Sequence, residues 1–214
     1  MTRSAPPRSR QPHASNKKEA THDRILAVAS RALRRNGLDG VGVADVMKEA
    51  GLTHGGFYAH FDSREALLAE ALERTRRDMA DVIESRIAPH RGRDDSAFRA
   101  LVETYLADAN LPAFETACPV SAVASELARC AHSALEKPSA LQFAARDLVT
   151  HLIAGVRKAL PKGVNAEAAS AIASTLVGAL QLARTLGDGP EAHSVLAAAR
   201  NSLLSQYGQA SYET

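Results

Sequence analysis

An all-α chain of about nine helices is the fold the sequence predicts, and three observations predict it. Apolar residues recur at three- and four-residue intervals through most of the 214 positions, as expected of helices with one buried face. No alternating apolar–polar run bounded by hairpin turn residues occurs, and no fixed-period repeat is present. Ala and Leu abound, aromatics make up 4% and Trp is absent, a balance that favours helix over sheet.

The elements follow in order. Residues 1–17 are rich in Pro, Ser and Arg without periodicity and read as a disordered basic arm. From Thr21 the pattern is helical: Ile25, Leu26, Ala29, Ala32 and Leu33 share a face, and "RRNG" closes the helix with cations and Gly37. A short second helix spans Val43 to Ala50, with Val43, Val46 and Met47 inward and Gly51 as the turn. A third runs from Thr53, its N-cap, to about His60. Asp62 or Ser63 caps a long fourth helix whose inward residues are Leu68, Ala71, Leu72, Met79, Val82 and Ile83, ending before Pro89. Further faces are Phe98, Leu101, Val102, Tyr105 and Leu106; Val120, Val123, Ala124, Leu127 and Ala131; and Leu141, Ala144, Leu148, Leu152 and Val156. Ile172, Leu176 and Leu180 mark the penultimate helix, and Val195, Leu196, Ala199 and Leu203 the last.

Composition narrows the function. At 45% hydrophobic and 23% charged, the chain can bury a core of ordinary size. No apolar run approaches the roughly 18 residues of a membrane span, and the basic N-terminus lacks the apolar segment of a secretory signal. With two cysteines, the expectation is a reducing cytoplasm, no disulfide framework and no membrane partner. Residues 1–64 carry eleven Lys or Arg against six Asp or Glu, and the remaining residues fifteen against eighteen. A basic end on a mildly acidic body suggests a polyanion partner for that end. The overall charge of +2 argues against a DNA-packaging protein, which depends on abundant phosphate neutralisation.

Three short helices with a tight turn between the second and third describe a helix-turn-helix module. In such a module the start of the last helix faces base edges in the major groove. Gly55 and Gly56 there let the backbone approach a duplex closely. Thr53, His54 and the first-turn N–H groups can meet phosphate, while Tyr58 and His60 offer polar tips at the groove edge. Phe57 and Phe61 anchor the segment to its own core. The plainer alternative is a glycine loop with "FYAHF" as a core plug.

"ILAVASRALRRNGLDGVGVADVMKEAGLTHGGFYAHFDSREALLAEAL" resembles the N-terminal DNA-binding domain of the TetR family of bacterial transcriptional regulators. The likeness covers residues 21–72 and rests on the helix closed at Gly37, on "AGLT", on Gly-x-x-Tyr-x-His-Phe across Gly55 to Phe61, and on "SREALL". It implies three parts: the arm (1–17), a helix-turn-helix domain (18–66), and a helical ligand-binding and dimerisation domain (67–214). Its implied partners are double-stranded operator DNA, a small-molecule inducer and a second copy of the chain. The implied function is a repressor released from its operator by the inducer. DNA-binding residues carried over are Gly42, Val43, Lys48, Thr53, His54, Gly55, Gly56, Tyr58, His60 and Arg64, the last gripping the phosphate backbone. Two positions depart from the family: Gly42 stands where Ser or Thr usually caps the second helix, and Ala44 where Arg often contacts DNA. Lys48 and the arm (Arg3, Arg8, Arg10, Lys17, Lys18) can compensate through phosphates.

Downstream, Cys118 precedes Pro119 at the start of a helix, where a thiol's pKa is lowered. This raises a thiol-sensing regulator as an alternative, and more remotely an enzyme with Cys118 as nucleophile; the plain alternative is a small buried hydrophobe. Cys130 lies too far along the same helix for an internal disulfide. Phe98, Tyr105, Phe114, Cys118 and His151 are candidates for a ligand pocket, each with plain core as its alternative. Ile172, Leu176, Leu180, Val195 and Ala199 are candidates for the dimer interface. No metal-ligand spacing, P-loop, dinucleotide fingerprint or catalytic motif is visible, so no metal, cofactor or catalytic residue is expected.

Overall fold

Ile25, Leu26, Ala29, Ala32 and Leu33 form the buried stripe of α1 (Pro12–Asn36), which ends at Gly37 with φ 75°. That left-handed backbone is the usual glycine stop after a helix. The structure, a computed structural model, describes residues 12–90, 96–116, 118–133 and 138–208. Arg3, Arg8 and Arg10 of the expected arm lie outside the described residues. The helix begins at Pro12, so Lys17 and Lys18 belong to α1, where both are exposed, rather than to an irregular arm. A proline near the first turn suits a helix start, since its missing N–H has no partner there anyway.

Helix α2 (Val43–Glu49) buries Val46 and Met47 against α1, and Gly51, at φ 70°, makes the turn. The third helix covers His54–Ala59 as expected but is wound as a 3-10 helix. The bond from the Gly56 N–H to the Thr53 carbonyl (3.1 Å) and that from His60 to Phe57 (2.9 Å) set the pitch. Helix α3 (Arg64–Ile87) is capped by Ser63, whose Oγ accepts from the Ala66 N–H at 3.0 Å. Its first half buries Leu67, Leu68, Ala71 and Leu72. Val82, expected inward, is exposed, while Met79 and Ile83 on either side of it are half-buried.

The rest of the chain is α4 (Ser96–Tyr105), α5 (Pro119–Ser133), α6 (Ala140–Ala159), α7 (Ala168–Leu186) and α8 (Pro190–Tyr207). Ser139 and Gln142 form a reciprocal capping box at the start of α6, and Gly187, at φ 81°, stops α7. With the 3-10 segment this makes nine helices of expected extent and no strand among the described residues. None of the described helices is long and apolar enough to cross a membrane. Helix α3 is the spine: its start packs on α1, its later turns on α4 and α6, and α7 pairs with α8 beside them. It runs unbroken through the domain boundary expected at 66/67, so the two parts share a rigid element.

Candidate functional site

The exposed face of the 3-10 segment is built by burial of the opposite one. Phe57 and Phe61 are almost wholly buried, with ring centroids 5.6 Å apart, and Phe57 also meets Tyr58 edge-on at 5.2 Å. These anchors turn Thr53, His54, Gly55 and Tyr58 outward, and Tyr58 is 72% exposed. Gly55 and Gly56 both have negative φ, so the backbone does not demand glycine. A Cβ at Gly55 would meet nothing within 4 Å, and one at Gly56 would make only ordinary contact with Met47 at 3.6 Å. The fold therefore has no internal use for this pair of glycines. A side-chain-free surface next to an exposed tyrosine is suited to close approach by another molecule.

Several expected contacts stand differently. Thr53 occupies the cap position but its side chain makes no capping hydrogen bond, leaving the hydroxyl on the surface. Lys48 is exposed on α2, whereas Val43 is half-buried and packs against the core. Gly42 caps α2 with extended backbone alone. His60 is half-buried, and its Nδ1 is buried without a hydrogen-bond partner. It faces His22 at 6.0 Å between ring centroids; His22 itself stacks on Phe61 at 4.5 Å and bonds Glu70 at 2.8 Å. Burial first, then the charges of His22 and Lys18, hold the His60 pKa below its ordinary value. Near neutral pH it is an uncharged wedge between α1 and the segment, not a cation for phosphate.

Arg64 is exposed at the start of α3 and also ties the head together internally. Its guanidinium donates to the carbonyl oxygens of Leu38 and Val41 (3.0 Å to the latter), tying α3 to the loop between α1 and α2. The other side of that loop is held by α5: the Glu126 carboxylate accepts from the Leu38 N–H at 2.6 Å. A Cβ at Gly37 would collide with that carboxylate, at 2.4 Å. Periodicity gave no hint of the Glu126 link, which spans 88 residues of sequence.

A cavity of about 170 Å³ lies between α3, α4, α5 and α6. Met79, Ile83, Leu101, Leu148, Leu152 and Val156 are among its apolar walls. Arg76, Lys158 and His151 also line it, and Arg76 is held in a two-pronged pair by Glu73 at 2.6 and 2.8 Å. A smaller branch of about 40 Å³ shares Met79, Ile83, Leu101 and Cys118 with it and adds Tyr105, Asn110 and Thr116. Of the five expected pocket residues, His151 lines the larger space, Tyr105 the smaller one and Cys118 both. Phe98 does not line it; it is fully buried and packs edge-on against Tyr207 at 6.2 Å, joining α4 to α8. Phe114 is also apart: 44% exposed, it carries the Arg184 guanidinium over its ring at 4.7 Å in an outer cleft.

Cys118 is 2% exposed. Burial pushes its thiol up, and this outweighs the opposing influence of the nearby Tyr105 hydroxyl and of the Ser121 and Val120 N–H groups at the start of α5. The sequence expectation of an acidified thiol at a helix N-terminus is reversed here, because the low-dielectric surroundings penalise the thiolate more than the helix end favours it. Both cysteines are unbridged. Among the described residues no group of three or more His, Cys, Asp or Glu is placed to hold a metal ion.

The expected dimer residues divide too. Ile172, Leu176 and Leu180 are fully buried within their own chain, and Val195 and Ala199 are half-buried against it. The outward stripe of α7 is instead Ala171, Ser174, Thr175 and Leu182, the last 62% exposed.

A helix-turn-helix head mounted on a cavity-bearing helical bundle defines the class of this molecule. Residues 25–71 match the model of the bacterial regulatory proteins of the tetR family. The HTH-type transcriptional regulator YvdT of Bacillus subtilis (strain 168) is 32% identical over 66 residues, which are 31% of this chain and 34% of that protein. The chain thus matches about a third of the length of this curated relative. Over nearly the whole chain the fold is that of a TetR transcriptional regulator from Chloroflexus aurantiacus J-10-FL. The TM-score is 0.69, the identity 20%, and the overlap 91% of this chain and 97% of that one. A TetR-family regulator from Agrobacterium tumefaciens is similar at a TM-score of 0.68 and 18% identity, over 89% and 98%.

Proposed function

We propose that this chain is a ligand-responsive, DNA-binding transcriptional regulator acting as a repressor, and that it works as a homodimer. The observation that carries the reading is the recognition segment: two glycines the fold does not need, set beside an exposed tyrosine and backed by buried phenylalanines. Thr53, His54, Gly55, Gly56 and Tyr58 would meet the major groove, with Lys48 and Lys18 on phosphate. Arg64 would act by holding the α1–α2 loop to α3. The dimer would form through the exposed stripe of α7 and its partner α8, placing two heads on a two-fold DNA site.

The 170 Å³ cavity is the effector site in this reading. Helix α5 starts in the cavity wall at Pro119 and Val120 and reaches Leu38 through Glu126. Helix α3 lines the cavity with Met79 and Ile83 and reaches the same loop through Arg64. A ligand that favours one arrangement of α3 against α5 therefore biases the loop on which the head is hung. A coupling of about 1–3 kcal/mol would change DNA affinity roughly 5- to 150-fold. The thiol-sensing alternative and the Cys118 enzyme have the weaker case, since the buried thiol is held protonated.

Selection of bound duplexes from a random library, followed by fluorescence anisotropy across a salt series, tests the function. The expected result is enrichment of a two-fold symmetric site bound well above scrambled DNA. Equal affinity for all sequences would leave only the charge-driven component and overturn the regulator reading. Sedimentation velocity of wild type and Leu182→Glu tests the dimer: the wild type should sediment as a dimer and the variant as a monomer.

A further inference from the structure

Tyr105 is 3% exposed, and its hydroxyl has no hydrogen-bond partner. The Cys118 thiol beside it is a poor substitute, because sulfur is a weak acceptor and the contact lacks hydrogen-bond geometry. The side chain lines the 40 Å³ branch, which shares Met79, Ile83, Leu101 and Cys118 with the main cavity. A second buried donor lies in the same neighbourhood. Arg184 gives its terminal nitrogens to Ser121 Oγ (3.3 Å) and to the Asn110 carbonyl oxygen (2.9 Å), but its Nε is buried without a partner. Its charge acts on both Tyr105 and Cys118. A buried hydroxyl left unmatched costs about 1–3 kcal/mol, so such a group usually marks a place where an acceptor belongs. Positive potential from Arg184 favours an electron-rich one.

The sizes are consistent with this division. An apolar cavity of about 150 Å³ holds one benzene molecule, so the main space, about 170 Å³ with Leu148, Leu152 and Val156 in its wall, admits a body of one ring. The branch exceeds the roughly 10–15 Å³ that a single water-sized group needs, which leaves room for one oxygen function at Tyr105.

We infer that the cavity takes a small molecule with an apolar, single-ring-sized body and a carbonyl or carboxylate oxygen at one end, that oxygen accepting from the Tyr105 hydroxyl. The inference rests on the effector-site reading above and adds the ligand's chemistry to it. Calorimetric titration of the full chain with acetophenone, ethylbenzene and benzoate tests it, because the first two share a shape and differ in the oxygen. Acetophenone should bind about fivefold tighter than ethylbenzene, the worth of one hydrogen bond. Tyr105→Phe should erase that preference while leaving ethylbenzene affinity unchanged. Benzoate separates the two forms of the acceptor: tighter binding than acetophenone assigns a carboxylate, weaker binding a neutral carbonyl. Equal affinity for acetophenone and ethylbenzene, as expected if a water satisfies Tyr105, overturns the acceptor; so does a preference that survives Tyr105→Phe. In both cases the apolar cavity stands as an effector site. Failure of all three compounds to bind overturns the effector reading together with the acceptor.

Discussion

The two ends of α3 are held by opposite strategies. At its start, the head packs large rings inward and leaves glycine, threonine and tyrosine outside, with Arg64, Glu126 and the His22–Glu70 pair among its internal ties. Toward its far end, the body leaves space inside, between Met79, Ile83 and Leu152, and a polar hydroxyl and thiol without good partners. The head keeps a bare surface at Gly55, and the body keeps an unfilled space around Met79 and Ile83. In the proposed reading each marks where the molecule meets something else, so function should separate from stability in opposite ways at the two sites.

Substitutions within the 3-10 segment should break the comparison most sharply. Phe57→Ala should lower stability by about 3–5 kcal/mol, as truncation of a buried aromatic does, read by urea unfolding. Tyr58→Ala, one residue on and 72% exposed, should stay within roughly 0.5 kcal/mol of wild type while weakening DNA binding. Equal destabilisation by both would mean that the segment is a core plug and not a reading surface.

Glu126→Gln sharpens the link between the two regions. Loss of the charge-assisted bond to Leu38 should cost about 1–2 kcal/mol. More tellingly, it should reduce the response of DNA affinity to cavity ligands while leaving their affinity for the body unchanged. An undiminished response would move the coupling to α3 alone.

Much of this was legible in the sequence, and its failures share a cause. The helices were readable because their inward faces repeat with helical period and because Gly37, Gly51 and Gly187 stand where the backbone turns left-handed. The motif from Gly55 to Phe61 placed the outward residues. What periodicity could not supply was which of two compatible faces is inside. Along α7 both faces carry small or apolar residues, so Ile172, Leu176 and Leu180 read as an interface although they are core. The cavity was only partly visible because its walls come from four helices. The internal links of Arg64 and Glu126 were missed because their partners are backbone groups, which leave no trace in composition. Cys118 shows the limit of a local rule: the helix start was correctly placed, but burial, a property of the whole fold, sets its pKa.

That reversal gives a chemical prediction for the body. In a Cys130→Ser variant, Cys118 should react with an aromatic disulfide reagent far more slowly in the native protein than in the urea-unfolded chain. The rate should climb only at pH above the ordinary thiol range. Fast reaction at neutral pH would restore the sensor alternative.

The smallest effect expected is at His60. Its pKa is depressed in the folded state, so the folded form stays neutral where the unfolded form takes up a proton. Stability should therefore be fully present above the ordinary value of 6.5 and fall as pH drops from there toward the folded pKa. Melting temperature from pH 7.5 to 5 should show less of this decline in His60→Gln than in wild type. Identical profiles would show that the ring contributes nothing to the pH response.

The most direct measurement of the central claim is the DNA affinity of Gly55→Leu on the selected duplex. A Cβ at this exposed position meets no atom of the protein within 4 Å, so the variant should fold as wild type does, with little change in melting temperature. If residues 53–58 lie against DNA, its affinity should fall by at least tenfold, on the order of the 1.4 kcal/mol that corresponds to one decade. Wild-type affinity in a normally folded Gly55→Leu protein would contradict the account, because the glycines would then be making room for nothing.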